Sequence, residues 1–412
     1  MYQERIARKA KPQKYSVSIV LPCLNEEKTV GKCVKEAKKW LGRKTGEVLV
    51  VDNGSTDASI QVARQAGARV IVERKRGYGA AIYAGLRKAK YAFIIIADAD
   101  LSYDLSNLTP FVNKLAAGDE LVIGNRFAGG IEPDAMPFLH RYIGNPLLTT
   151  IANVFFNTSL GDYHSGVRAI RKSKVAELHL HSVGMEFASE MIVRAKLLNF
   201  KIGQVPVPYR KDGRGRKSHI RTFRDGWRHL RFLMLFSPTW IFFYPAIILL
   251  LTSLFLLSYM IMESVQIGEI AFGVHTMLVL GALLIVGYQL FHWSFCVHAF
   301  AQRIDLPVRS PSIIEKLSKK NNELIMGIGG VVFVLGLLFC GWTAWYWLEK
   351  DLGNLNPRMT MRIFIPGVVF IILGIQSFFS SLFLSLLNFE NLHSTEEQSP
   401  SKRYRLKKVV KK

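Results

Sequence analysis

Short apolar runs alternate with charged segments of helical period over roughly the first 230 residues, and four long, nearly uncharged apolar blocks fill most of the remainder. The runs at 16–21, 47–51, 69–73, 93–96, 120–124 and 201–207 are rich in Val, Ile and Leu, which predicts strands buried on both faces. Between them, 25–40, a stretch ending at Ala66, 82–88, 105–117 and 186–198 carry the spacing of amphipathic helices. Strict alternation of strand and helix calls for a mainly parallel α/β sheet wound with helices. From 125 the pattern loosens: 126–130 and 133–137 predict a mobile loop, and 161–168 a polar turn between two structured pieces. Over 222–236, Arg224, Arg228 and Arg231 interleave with Phe223, Trp227, Leu230 and Leu233, the pattern of a basic helix lying at a membrane surface. The apolar blocks, about 239–262, 274–297, 324–347 and 363–387, are each long enough to cross a bilayer.

Composition sharpens this division. Half of the 412 residues are hydrophobic, and the net charge of +23 gathers beside the apolar blocks. No nucleic-acid reader motif accompanies the charge, so anionic lipid is the expected partner and nucleic acid is not. Cys23, Cys33, Cys296 and Cys340 form no metal-like pair and require no oxidising compartment. The basic first 15 residues lack an apolar core, so no cleavable signal is visible. Lys and Arg crowd 303–323 and the tail after 401, whereas the connection 263–270 has none. With four crossings this places the first domain, the middle loop and the tail on the cytoplasmic side of the cell membrane. The expected order is a basic tail (1–15), an α/β domain (16–221), an interface helix (222–236), a transmembrane domain (237–390) and a basic tail (391–412).

The candidate chemistry lies at strand ends. The run Phe93-Ile94-Ile95-Ile96 stops at Asp98-Ala99-Asp100, and open α/β sheets place ligands at such ends. Two carboxylates at i and i+2 can offer oxygen to one hard cation, Mg²⁺ or Mn²⁺, shared with substrate phosphates. Pro22, Asn25 and Glu26 follow the first strand and Asp52 the second, placed to hold a base and ribose. Gly77 and Gly79 follow the third, where glycine permits close backbone approach to a ligand. A dinucleotide fold would put Gly-x-Gly-x-x-Gly after the first strand; Pro22-Cys23-Leu24-Asn25 stands there instead. The basic stretch 209–221 suits an anion-binding loop.

Taken in order, Val20-Leu21-Pro22-Cys23-Leu24-Asn25-Glu26-Glu27, Val51-Asp52-Asn53-Gly54-Ser55-Thr56-Asp57, Gly77-Tyr78-Gly79 and Asp98-Ala99-Asp100-Leu101 resemble a family 2 glycosyltransferase of GT-A fold, a Rossmann-like α/β architecture. Gly124-Asn125-Arg126, Ser165-Gly166-Val167-Arg168 and Val205-Pro206-Val207 resemble its dolichol-phosphate mannosyltransferase and polyprenyl-phosphate branch. Gly184 to Glu190 and Asp225-Gly226-Trp227-Arg228-His229 resemble bacterial dolichol-phosphate-glucose synthetase-like members. The resemblance spans about 15–235. It implies that Pro22, Asn25, Glu26, Asp52, Gly77 and Gly79 hold the nucleotide and that Asp98 and Asp100 bind the diphosphate through Mg²⁺ or Mn²⁺. Arg126, Arg168, Ser165 and the loop with Arg214, Arg216, Lys217 and Ser218 would meet donor and acceptor phosphates. Relatives often have Gln where this chain has Ser102, which leaves water or Asp104 for a third ligand position.

The implied reaction is inverting transfer of one hexose, glucose or mannose in type, from a UDP- or GDP-sugar to undecaprenyl or dolichyl phosphate. Two other readings stand beside it: a processive polysaccharide synthase, against which Gln289-Leu290-Phe291-His292-Trp293 has the wrong spacing for Gln-x-x-Arg-Trp, and a non-catalytic membrane scaffold. The sugar, the nucleotide, the lipid length and any homo-oligomer are open at this level.

Overall fold

The computed structural model describes residues 15–42, 45–215, 222–263, 265–304, 306–308, 310–311, 313–314 and 322–397. They form two units, divided between Phe236 and Ser237.

The first unit is built on a seven-stranded sheet of order β3-β2-β1-β4-β6-β5-β7. Its strands are β1 (Val17–Cys23), β2 (Gly46–Asp52), β3 (Arg69–Val72), β4 (Phe93–Ile96), β5 (Leu121–Asn125), β6 (Arg168–Arg171) and β7 (Ile202–Pro206). All neighbours are parallel except β6, which runs antiparallel to β4 and β5. Every residue of β4 is buried, as a strand covered on both faces requires. Helix α1 (Val30–Leu41) shows how the helices cover the sheet: Val30, Cys33, Val34, Ala37 and Leu41 recur on one face and join the core around Ile19, Leu21 and Ile95. Gly42, at φ +49°, ends that helix and donates its N–H to the Lys38 carbonyl. Helices α2 (Ser59–Gln65), α3 (Tyr78–Lys88) and α4 (Thr109–Ala116) complete the alternating part.

Several elements were not visible in the sequence pattern. Strand β6 begins at the last residue of the expected polar turn, in a stretch to which the pattern assigns no strand, because Arg-Ala-Ile-Arg is too short and too charged to announce one. Its antiparallel course matters for the site. Arg168 pairs with Ile96, so the chain entering β6 comes down beside the C-terminal end of β4. Helix α5 (Asn145–Phe156) is another; Pro146 stands in its first turn, where a missing N–H is harmless. The expected mobile loop after β5 begins instead with a one-turn helix, Arg126–Gly129, capped by the Asn125 side chain. Helix α6 (Phe187–Leu197) precedes β7, and α7 (Thr222–Leu235) closes the unit.

The second unit contains α8 (Tyr244–Met262), α9 (Val274–Arg303), α10 (Asn322–Glu349) and α11 (Pro357–Glu397). Together they supply four candidate membrane spans of mean hydropathy 1.8 to 2.5. A short hairpin, Val265–Ile267 with Ile270–Phe272, joins the first two where the sequence suggests a plain connection. Helices α10 and α11 pack closely because Gly336 lies against Ile371 and Gly367, and Gly374 against Phe333.

Candidate active site

The loops after β1 and β2 are stitched together by side chains the sequence singles out. Asn25, held at φ 56°, donates its N–H to Ser55 Oγ (2.8 Å) and accepts the Thr56 N–H at Oδ1 (2.7 Å). Glu26 N–H reaches Ser59 Oγ at 2.7 Å. Asp52 turns its carboxylate onto its own loop, accepting the Gly54 and Ser55 N–H groups at 2.9 and 3.1 Å. Pro22 sits half-buried where β1 ends, opposite Val51. Asn53, which sequence reasoning quotes without a role, ties this edge to the next: its amide donates to the Glu73 and Lys75 carbonyls and accepts the Gly77 N–H.

The two glycines of the following turn are required by the chain's own packing. A Cβ at Gly77 would stand 2.1 Å from the Val183 carbonyl oxygen, and one at Gly79 2.4 Å from that of Ser182. The Gly79 N–H donates to Val183 at 2.9 Å. Close backbone approach does occur here, but the segment approaching is 182–184 of the chain itself. Glu190 fixes that segment by accepting the His181 and Ser182 N–H groups while paired with Arg194 at 2.9 Å.

Asp98 and Asp100 lie just beyond β4. Asp98 accepts the Tyr78 hydroxyl at Oδ1 (2.9 Å), and its other oxygen abuts the Gly166 backbone, where a Cβ would come within 2.1 Å. Burial and the neighbouring Asp100 carboxylate push the Asp98 carboxyl up to about 6. Asp100 receives the Ser102 N–H (3.0 Å) and hydroxyl (2.5 Å) at Oδ1, so Ser102 orients this carboxylate. Its Oδ2 faces Arg214 Nη2 at 3.0 Å. Asp104 is paired with Arg210 (3.2 Å) and Ser106, much as Asp100 is paired with Arg214 and Ser102, so Asp104 and water both stand as candidates for a third ligand position. The pair fits a divalent cation in its chemistry: two adjacent carboxylates, crowded enough to raise one, already facing a cationic side chain. Among the described residues no third His, Cys, Asp or Glu joins them, which suits an ion that takes its other oxygens from phosphate and water.

The chain entering β6 forms the opposite wall. Asp162 holds Arg126 in a buried two-pronged pair, Nε to Oδ2 at 2.7 Å and Nη2 to Oδ1 at 2.9 Å, with the guanidinium over the Tyr209 ring. Arg168 gives its guanidinium to the carbonyls of Ser165, Ala188 and Tyr163, and Ser165 is buried beneath it. Both arginines therefore brace the wall in this structure instead of standing open to a phosphate. Replacing Asp162 by Ala leaves Arg126 buried without its counter-charge and is expected to cost about 3 kcal/mol. A lowered melting temperature of the full chain in detergent checks this, and an unchanged one refutes it.

Sequence reasoning missed several participants: Tyr78, Asn53, Asp162 and His164. The His164 ring nitrogens are buried without a hydrogen-bond partner. Burial and the adjacent His229 hold its imidazole well below the ordinary range, so it is neutral. His229, on α7, packs edge-on at 4.7 Å and is fixed by Ser189 at 2.8 Å. Arg216, Lys217 and Ser218 lie outside the described residues.

Helix α7 has three sides. Asp225, His229, Phe232 and Leu233 are buried in the unit. Facing out are an apolar strip with Phe223 (83% exposed) and Trp227 (57%) and, beside it, a strip of Arg224, Arg228 and Arg231. Of the apolar residues the sequence pattern assigns to the membrane surface, Phe223 and Trp227 face outward while Leu233 is buried in the unit, because a third side of the helix is needed for packing. Phe138, Tyr142 and Ile143, just before α5, and Leu147 in its first turn are also at least half exposed.

Residues 18–178 match the family profile described as Glycosyl transferase family 2, and residues 295–388 match Glycosyltransferase family 2 C-terminal transmembrane region. A low-salt glycan biosynthesis hexosyltransferase of Haloferax volcanii is 32% identical over 381 residues, covering 90% of this chain and 89% of that protein. A dolichyl-phosphate hexose transferase of the same organism is 29% identical over 196 residues, 47% of this chain and 83% of that one. Among solved structures, glucosyl-3-phosphoglycerate synthase from Mycobacterium tuberculosis in complex with Mn²⁺, uridine diphosphate and glucosyl-3-phosphoglycerate aligns at 20% identity with a TM-score of 0.41, over 54% of this chain and 78% of that chain.

Proposed function

We propose, from the premise that this chain belongs to glycosyltransferase family 2, that it moves one hexose from a nucleoside-diphosphate sugar to a polyprenyl phosphate at the cytoplasmic face of the membrane. It is a membrane glycosyltransferase related to dolichyl-phosphate hexose transferases; the donor, the acceptor and the side are this reading's own. The observation that carries it is a carboxylate pair in a unit whose last helix exposes apolar and basic strips and continues, four residues later, into a membrane span.

The chemistry follows from the groups present. A phosphate oxygen of the acceptor attacks the anomeric carbon, the bond from that carbon to the diphosphate breaks, and a nucleoside diphosphate departs with both electrons. The acceptor is anionic near neutral pH, so placement beside cations matters more than a general base. Asp98 and Asp100 would hold Mg²⁺ or Mn²⁺, which supplies positive charge for the departing diphosphate. Asn25, Glu26 and Asp52, stitched into one rim, would seat the nucleoside, and Arg214 lies within reach of its phosphates. The names of the Haloferax relatives support a hexose and a lipid phosphate.

The test uses the full chain in detergent with radiolabelled UDP- and GDP-hexoses and with undecaprenyl or dolichyl phosphate. A chloroform-extractable lipid bearing one sugar is expected for one nucleotide series. Label recovered as water-soluble polymer, or no transfer from any donor, would overturn the reading.

A further inference from the structure

Arg214 occupies a position its role as a phosphate ligand does not explain. Its Nε donates to Glu26 Oε1 at 2.6 Å and its Nη2 to Asp100 Oδ2 at 3.0 Å, with the side chain 17% exposed. One guanidinium thus joins a carboxylate expected to hold the nucleotide to one expected to hold the cation. The backbone seats it there: the Gly213 N–H donates to the Asp100 carbonyl at 2.8 Å, and the Gly213 Cα packs against Leu101 and Thr29. Glu26 is itself 5% exposed and Asp100 5%, so these are charges that need a partner when no ligand is bound.

We propose that Arg214 stands in for the divalent cation in the ligand-free donor site and leaves Asp100 when the cation and a nucleoside diphosphate enter together. This rests on the reading of Asp98 and Asp100 as cation ligands. An oxygen bound to Mg²⁺ or Mn²⁺ lies at about 2.1 Å from the ion, so the ion and the Nη2 group cannot both occupy that side of Asp100 Oδ2. The exchange is electrostatically matched: a doubly charged ion replaces one positive charge beside Asp98 and Asp100, and the diphosphate brings the negative charge that the freed guanidinium then meets. Glu26 loses its Arg214 contact at Oε1 in the same step while Thr29 still holds Oε2 at 3.0 Å, so Oε1 is the atom released to the nucleoside. The cation alone must break the Arg214 contacts without this compensation. It therefore binds weakly until the nucleotide arrives, and the site resists loading with metal only.

The probe is Mn²⁺ itself, with free ion measured by electron paramagnetic resonance on the full chain in detergent, with and without UDP or GDP. Without nucleotide, Arg214→Met is expected to bind Mn²⁺ about tenfold tighter than the native protein, a difference of about 1.4 kcal/mol. Arg214→Lys, which keeps the charge but not the two-pronged reach, should fall between them. With nucleotide, the advantage of Arg214→Met should vanish or reverse, since the guanidinium then contributes to phosphate binding. Equal or weaker Mn²⁺ binding by both variants without nucleotide, while the native protein binds Mn²⁺ with nucleotide, overturns the exchange and leaves the cation site standing. Native protein that binds no more Mn²⁺ than Asp100→Asn under either condition overturns the cation site, and the exchange with it. Should Arg214→Met fail to fold, Arg214→Lys decides the outcome by the same comparison.

Discussion

Asp100→Asn is expected to lower turnover by about a thousandfold while the chain still folds and inserts. The side-chain shape is kept and Oδ1 can still receive Ser102, so the local turn survives. What disappears is one of two negative charges beyond β4, and with it, on the proposed reading, the hold on a cation that would offset charge on the leaving diphosphate. Lipid-linked label and Mn²⁺ binding measured on the same sample check both parts. Native activity undiminished in excess EDTA would remove the metal from the account. The same pair sets an acid limit. Asp98 must be ionised to bind a cation, and its carboxyl is raised to about 6, so Mn²⁺ affinity should be full above that pH and fall about tenfold per unit below it. For stability the sign is opposite: the unfolded chain ionises Asp98 first, so this group destabilises the fold as pH rises from its ordinary value towards 6.

Most of the first unit was legible because its elements are locally consistent. The buried β4 run and the α1 stripe each declare their environment, and the charge change at Asp98 marks where the sheet ends. What was not legible depends on partners distant in sequence. Strand β6 exists because β4 and β5 present edges to it, and nothing in Arg168–Arg171 reports that. The glycines at 77 and 79 mark a close approach, expected in the sequence to be to a ligand; that segment 182–184, a hundred residues away, lies against them is not legible there. Arg126 and Arg168 look like phosphate ligands in the sequence; Asp162 and three carbonyls, invisible from there, hold them in the wall. Composition marks 209–221 as an anion-binding loop and the family resemblance singles out Arg214 within it; its pairing with Glu26, nearly two hundred residues earlier, emerges only in three dimensions.

Exchanging Arg228 and Arg231 for Glu is expected to cut transfer to a long-chain polyprenyl phosphate by about ten- to a hundredfold and to leave transfer to a short, water-soluble phosphate analogue nearly unchanged. Both arginines lie on the outward basic strip of α7, beside Phe223 and Trp227, and the first membrane span begins at Thr239. The first candidate span begins four residues after this helix ends, too short a tether to carry it far from a bilayer. On the proposed reading the apolar strip would enter the interface and the arginines would meet anionic lipid, each contributing about 1 kcal/mol near the surface. The inner side of the same helix carries His229 against His164, on the segment that leads past Gly166 to Asp98. On the proposed reading, a lipid phosphate, whose chain cannot leave the membrane, would reach the site only if α7 brings it to the interface, whereas a soluble analogue would diffuse to it freely. Arg228 also lies 3.8 Å from Asp225, so exchange of both arginines for Gln provides a milder pair that avoids repulsion within the helix. Equal losses on both acceptors, in the Glu and the Gln pairs alike, would show that α7 supports the fold and does not position lipid.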